Sequence, residues 1–255
     1  FRAFFSILDL NRFKNSNGLH TNALYSFHRM FKSILDSENP THVLVAWDAG
    51  KTTFRTEMYA DYKGGRSKTP GEFIEQMPYF NVLLDAWGIP HYRLNQYEAD
   101  DIIGTLAKQG EAAGYEVVVL SGDKDLIQLA DNNITVKITT KGVTELVEYT
   151  PEVIFEKYGL TPEQIIDMKG LMGDSSDNYP GVKTAVKLLQ EFGSVEGIYE
   201  HVDEMKKSKL KENLINDKEL AFLSKKLARI NVESPLEITL DDTVRKEQDV
   251  VALMA

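Results

Sequence analysis

The stretch Thr41-His42-Val43-Leu44-Val45-Ala46-Trp47-Asp48-Ala49-Gly50 decides the fold class. Five consecutive apolar residues, Val43 to Trp47, stop at an aspartate and a glycine. That pattern predicts a strand buried on both faces, as in a parallel sheet, with Asp48 at its carboxyl end. The same design returns at Glu116–Leu120, closed by Ser121-Gly122-Asp123. Helical spacing surrounds both runs: an amphipathic helix over Thr21–Leu35, a second over Glu72–Trp87, and a third over Glu98–Ala113, with Ile102, Ile103, Leu106 and Ala107 on one face and Gly114 as its stop. Weaker strands are expected at Ile134–Ile138 and Thr144–Glu148 around the turn Lys141-Gly142. Pro151, Pro162, Lys183 and Lys206 each open helical stretches. Alternating strands and helices followed by a helical last third predict an α/β fold with a largely parallel central sheet.

Composition excludes several classes. The chain has 255 residues, 42% hydrophobic and 27% charged, in the globular range. Apolar runs such as Val43–Trp47 and Val117–Leu120 fall far short of the roughly 18 residues that span a bilayer. No cysteine is present, which removes disulfides, thiolate zinc sites and cysteine nucleophiles, and suits a reducing, cytoplasmic setting. The first residue is Phe1, and Phe1–Leu8 has none of the features of a signal peptide, so the true start is expected to lie upstream. A net charge of −10 disfavours nucleic acid as a partner for the surface as a whole. Two stretches run against it. Residues 51–68 hold Lys51, Arg55, Lys63, Arg66 and Lys68 against Glu57 and Asp61, and residues 206–229 hold eight Lys/Arg against three acids. The connection over 51–71 is also longer than an ordinary loop and is expected to be functional.

The aspartates carry the chemistry. Asp48 and Asp123 sit at carboxyl strand ends, where ligands bind in open α/β sheets. Asp125 follows two residues on, Glu98, Asp100 and Asp101 open a helix, and Asp174 and Asp177 lie in Gly173-Asp174-Ser175-Ser176-Asp177-Asn178. If they converge, these eight carboxylates need cations. An all-oxygen, cysteine-free set selects Mg²⁺ or Mn²⁺, and a pair of such ions is the usual device for phosphodiester hydrolysis. Taken singly, acids at a helix start are ordinary caps, and aspartates beside Gly50 and Gly122 are ordinary turn formers; it is their conjunction that points to a nuclease. A calcium loop fails after Asp123-Lys124-Asp125 because Ile127 and Gln128 occupy the next ligand and glycine positions. A phosphate loop ending Gly50-Lys51-Thr52 fails because Val45 stands where its first glycine belongs. His20, His28, His42, His91 and His201 lack ligand spacing.

Five segments together resemble the 5′-nuclease (flap endonuclease) family, closest to the 5′–3′ exonuclease domain of bacterial DNA polymerases and its stand-alone relatives. They are Ala46–Arg55, Tyr62-Lys63-Gly64-Gly65-Arg66, Tyr97–Asp101, Ser121–Asp125 and Gly173–Asn178. The resemblance spans nearly the whole chain and implies a division into a 1–160 nuclease core, with a helical arch at about 51–71, and a 161–255 helix-hairpin-helix region. It implies Asp48, Glu98, Asp100 and Asp101 as acids of a first metal site, and Asp123, Asp125, Asp174 and Asp177 as those of a second. Lys63 and Arg66 match a basic pair that grips the scissile phosphate, and Tyr62 and Arg2 match substrate contacts. Tyr179–Leu189, including Gly181, Lys183 and Thr184, resembles a helix-hairpin-helix that holds duplex phosphates and can carry a K⁺ ion.

The implied activity is cleavage of DNA flaps, branched or 5′-ended duplexes and RNA-primer ends in replication and repair, with 5′-phosphate and 3′-hydroxyl products, by a cytoplasmic, nucleoid-associated monomer. Two departures stand out. The family's first aspartate, upstream of the Phe1-Arg2 match, and the residues expected between Val182 and Lys183 are absent, and both are read as omissions at a terminus and a loop tip. If they were true deletions, a non-catalytic DNA-junction binding module would be the rival. A metal-dependent ribonuclease is a second rival, disfavoured by the arch and hairpin segments.

Overall fold

The computed structural model describes residues 2–7, 9–50, 52–60, 62, 68–140, 145–173 and 181–254. In chain order the elements are α1 (Arg2–Phe5), α2 (Asn22–Glu38), β1 (Val45–Ala46), α3 (Phe54–Met58), α4 (Gly71–Ile74), α5 (Met77–Ala86), β2 (His91–Tyr92), α6 (Ala99–Ala112), β3 (Val117–Ser121), β4 (Ile134–Thr139) and β5 (Leu146–Tyr149). Helices then dominate: α7 (Pro151–Tyr158), α8 (Pro162–Met172), α9 (Val182–Phe192), α10 (Val195–His201), α11 (Lys209–Asn216), α12 (Lys218–Ala228) and α13 (Val250–Met254). Among the described residues no helix is long and apolar enough to cross a membrane.

The chain divides into two compact units. The first comprises Phe1–Gln109, Thr139–Val147 and Val232–Ala255, and the second Gly110–Ile138 and Glu148–Asn231. In the first, β1 and β2 pair in parallel, Val45 opposite His91 and Ala46 opposite Tyr92, and the Trp47 N–H extends the ladder to the Tyr92 carbonyl at 2.9 Å. This strand is shorter than Val43–Trp47 and only half-buried, and the run just before it pairs with the chain at Thr243–Arg245, the Val43 N–H donating to the Thr243 carbonyl at 2.7 Å. Asp48 stands just past Trp47 at its carboxyl end, as expected. The core forms where α2 lays Phe31 and Leu35 against Leu84, Trp87 and Ile89, beside a second cluster of Phe4, Ala23, Phe73 and Phe80.

The helix expected over Glu72–Trp87 is broken into α4 and α5. Pro78 has no N–H for the Ile74 carbonyl, so a continuous helix would lose a rung there. At the break, Gln76 is fully buried. Its Oε1 accepts from the N–H groups of Ala23 and Leu24 at 2.9 and 3.2 Å, and so caps α2, whose own Thr21 supplies no side-chain cap. Its Nε2 donates to Asn22 Oδ1 and to the Glu72 carbonyl at 2.9 and 2.7 Å. Asn22 in turn donates to the carbonyls of Phe4 and Ile7, fastening α1.

In the second unit β3 and β4 pair in parallel over five residues, Val117 opposite Ile134 through Ser121 opposite Ile138, and β5 lies beside β4. Burial alternates along β4, with Ile134, Val136 and Ile138 inward, whereas Val118 on β3 is 41% exposed, so β3 is covered on one face rather than two. The expected turn Lys141-Gly142 lies outside the described residues. Helices α8 and α12 cross closely at Gly170, where an added Cβ would stand 2.7 Å from the Lys225 Cβ. Lys225 bonds the buried Asp167 and Glu196, each at 2.6 Å, and Asp167 also accepts the Val195 N–H at the start of α10. Tyr199 on α10 is buried with no hydrogen-bond partner for its hydroxyl, and burial, reinforced by the charge of Asp217, pushes its phenol up to about 12.

Two outcomes are expected. Gln76→Ala removes four hydrogen bonds, two of them buried, and should cost about 2–4 kcal/mol, read as a lower urea midpoint, and an unmoved midpoint would show that the network contributes little. Ultraviolet titration should find one tyrosine ionising near 12 and missing from Tyr199→Phe. Because the folded pKa lies above the unfolded value of about 10, the contribution of Tyr199 to stability is complete below about pH 10 and is lost as pH rises towards 12.

Candidate active site

In the first unit the acids gather where α6 begins. Tyr97-Glu98 leads into the helix, and Asp48, just past β1, accepts the Ala99 N–H at 2.8 Å, so an exposed carboxylate caps the positive end of a fourteen-residue helix. Asp101, in the first turn, is fully buried, and its Oδ2 accepts the Glu98 N–H at 3.1 Å. Two carboxylates thus satisfy donors that would otherwise be left open at the helix start. Asp100 lies on the same first turn, half-buried.

What holds Asp101 is Arg55, on α3. Its Nη1 and Nη2 donate to Asp101 Oδ2 and Oδ1, both at 2.7 Å, and Nη1 also stands 3.5 Å from Glu98 Oε2. Arg55 is 2% exposed and Glu98 8%. Burial works to lower the guanidinium's pKa, but the hydrogen bonds and charge of Asp101, with Glu98 and Tyr62, outweigh it and raise the pKa above its ordinary value. Tyr62 Oη donates to Glu98 Oε2 at 3.4 Å. The backbone repeats the tie. Thr53 bridges Gln96 in parallel, and the Phe54 N–H donates to the Gln96 carbonyl at 3.0 Å. Gln96 itself adopts a left-handed φ of 68°, a strained turn just before Tyr97-Glu98.

In the second unit Asp123 follows β3 and caps a short 3₁₀ turn over Lys124–Leu129, accepting the Asp125 N–H at 2.9 Å, while its own N–H donates to Ser121 Oγ. Lys169 on α8 brings its Nζ to 2.6 Å from Asp125 Oδ1. That oxygen is buried and makes no aligned hydrogen bond, so the pair is a charge contact. A buried carboxylate oxygen served by charge rather than by a directed donor suits a cation, and with no cysteine in the chain the oxygen donors fit a hard divalent ion.

Among the described residues no three acidic or imidazole side chains form a ready-made ion cage. Chain donors already engage Asp48, Glu98 and Asp101. Asp174, Asp177, Lys63 and Arg66 lie outside the described residues, as does the side chain of Arg2. Gly181 is the N-cap of α9, its carbonyl accepting the N–H groups of Thr184 and Ala185, and Gly181 and Lys183 are exposed at that helix start. The second basic stretch is thinner than its sequence suggests. Lys225 is spent on Asp167, Arg229 pairs with Glu163, and Lys211 caps the carbonyls of Asp203 and Met205. Arg55 likewise leaves the first stretch for the interior. Its basic surroundings hid that role, and nothing local marks a partner 46 positions away.

Residues 1–159 match the model of the 5′-3′ exonuclease N-terminal resolvase-like domain, and residues 160–251 match that of the 5′-3′ exonuclease C-terminal SAM fold. The chain is 59% identical to DNA polymerase I of Lactococcus lactis subsp. cremoris over 261 residues, and 60% identical to that of Streptococcus pneumoniae R6 over 256. These alignments cover 99% and 98% of this chain but 30% and 29% of those proteins, so the chain spans under a third of the length of the relatives it matches. Its fold is similar to T5 5′-exonuclease solved with bound zinc, with a TM-score of 0.66 at 26% identity over 81% of each chain. It is also similar to T5 D15 flap endonuclease in a pseudo-enzyme-product complex with DNA and metal ions, with a TM-score of 0.68 at 25% identity over 87% of this chain and 85% of that one. The catalytic core of Rad2, at 17% identity and a TM-score of 0.58 over 99% of this chain and 83% of that one, shares the fold. With both domain models matched end to end, the chain belongs to the 5′-3′ exonuclease family.

Proposed function

We propose that this chain is a divalent-metal-dependent, structure-specific 5′-nuclease that hydrolyses DNA phosphodiesters at 5′ flaps, branched junctions and 5′ ends, RNA-primer ends included, in replication and repair. The observation that carries the reading is the placement of acids in both units directly after parallel strands and at a helix start: Asp48 after β1, Glu98 and Asp100 at α6, and Asp123 and Asp125 after β3. The metal-bound and DNA-bound T5 nucleases support it.

Asp48, Glu98 and Asp100 would hold one ion, and Asp123 and Asp125, with Asp174 and Asp177, the other. Mg²⁺ or Mn²⁺ fits these oxygen donors. When bound, such ions neutralise charge at the scissile phosphate and lower the pKa of the attacking water. The chain's own groups place the substrate. Lys63 and Arg66 grip the phosphate, Tyr62 and Arg2 contact the strand, and the exposed start of α9 offers Gly181, Lys183 and Thr184 to a duplex phosphate, with a K⁺ ion able to share that role. Attack on phosphorus breaks the bond to the 3′ oxygen and leaves 5′-phosphate and 3′-hydroxyl ends. The setting is the cytoplasm, at the nucleoid, and the working form a monomer.

With Mg²⁺, a 5′-labelled flap duplex should be cut within about one nucleotide of the junction, and chelator should abolish cutting. Junction binding without scission would instead assign the chain to recognition alone. Asp123→Asn should lower the cleavage rate about 100-fold or more while flap affinity changes little, and an unchanged rate would remove Asp123 from ion binding. Lys63→Ala should slow single-turnover cleavage of the same flap, and a wild-type rate would end its phosphate role. Asp48 has two duties that can be separated. Asp48→Ala should cost about 1 kcal/mol as a lost cap, Asp48→Asn should restore most of that, and both should lose Mg²⁺-dependent cleavage.

A further inference from the structure

We propose that Asp101 is not an ion ligand but the buried counter-ion of Arg55, and that Arg55 is a positioning residue that sets the Glu98 carboxylate and locks α3 to the start of α6. The inference rests on the ion-binding reading above and divides its acids by what each one touches.

Both carboxylate oxygens of Asp101 are committed, Oδ1 to Nη2 and Oδ2 to Nη1 and the Glu98 N–H. The residue has no exposed surface. A hard divalent ion keeps several waters and needs an open approach, which this position does not give. Displacing the guanidinium would strand a charge at 2% exposure, so the pair persists with or without ions. Asp48 is different in kind, an exposed carboxylate whose Oδ1 meets a neutral N–H. Glu98 stands between these cases. Its Oε2 receives long contacts, 3.5 Å from Arg55 and 3.4 Å from Tyr62, which orient a carboxylate without bidentate capture.

Planar bidentate geometry explains why arginine fills this role. The fork fixes the angle of α3 against α6, and the Thr53–Gln96 bridge with the Phe54 N–H bond fixes its distance. Phe54 completes the seat, its ring 4.4 Å from the guanidinium carbon and 5.5 Å from the Tyr97 ring. The arm that leads towards Lys63 therefore starts from the same rigid piece that carries Glu98 and Asp100.

The test compares full-length wild type, Asp101→Asn and the Arg55→Met/Asp101→Asn double variant for Mn²⁺ affinity by calorimetry without DNA, and for thermal unfolding. Asp101→Asn takes away the charge that holds both arms of the Arg55 fork and draws Glu98, 3.5 Å from Nη1, towards the guanidinium, so Mn²⁺ should bind about tenfold more weakly and the unfolding temperature should fall. Removing the guanidinium as well releases Glu98 from that capture but also from its positioning, so Mn²⁺ affinity should recover only in part, to about threefold below wild type, while most of the unfolding temperature returns. A folded double variant that binds Mn²⁺ as weakly as Asp101→Asn would overturn the proposal, because the missing carboxylate would then be a ligand. Anomalous diffraction from Mn²⁺-soaked wild-type crystals decides the point without a variant. A peak at coordination distance from an Asp101 oxygen overturns it, and peaks confined to the Asp48, Glu98 and Asp100 side uphold it. If wild type binds no Mn²⁺, the ion reading fails, while the unfolding temperatures of the two variants still test the pairing.

Discussion

A charge can leave water only if another charge and a full set of hydrogen bonds follow it inside. The first unit is organised around that constraint at Arg55. Once the guanidinium is almost fully buried, its fork must be matched, and Asp101 matches it at 2.7 Å on both arms. Asp101 can be there only if α6 begins where it does, and α6 begins there because Asp48 and Asp101 occupy the donors at its start. The strained turn at Gln96 and the entry into α3 lie on the two segments that this pair joins. Breaking one side of such a pair typically costs about 3–5 kcal/mol, a large part of a domain's stability.

The candidate acids of each unit therefore have two duties. Asp48 caps a helix and offers charge, Asp123 caps a 3₁₀ turn and offers charge, and Asp125 sits against the ammonium of Lys169. Carboxylates already seated on backbone N–H groups keep their direction when a cation approaches or leaves. The local chain, rather than the ion, then sets where the charge stands.

Sequence patterning made much of this legible. Period and punctuation placed α2, α6, β3 and β4 to within a few residues, and the strand-end rule singled out Asp48 and Asp123 from the sequence alone. Resemblance supplied the division of acids between two ions. Contacts distant in sequence were invisible. Arg55 reads as one more cation in a basic stretch because its partner lies 46 positions on, and Lys225 reads as a surface lysine although Asp167 holds it. The two-residue β2 has too few positions to show a period. The break between α4 and α5 did leave a mark, Pro78, outweighed by the helical spacing around it.

The capping of α2 by Gln76 bears on the order in which the chain acquires structure. The first turn of α2 is emitted more than fifty residues before the side chain that closes its open N–H groups. During synthesis α2 is a frayed helix with no local cap, and α1, held through Asn22, has nothing firm to rest on. Docking of the segment around Gln76 completes both at once, so β1, α3 and the intervening chain are enclosed in a loop that shuts late. The ordering of α1 and of the start of α2 is thus coupled to the docking of a segment more than fifty residues on.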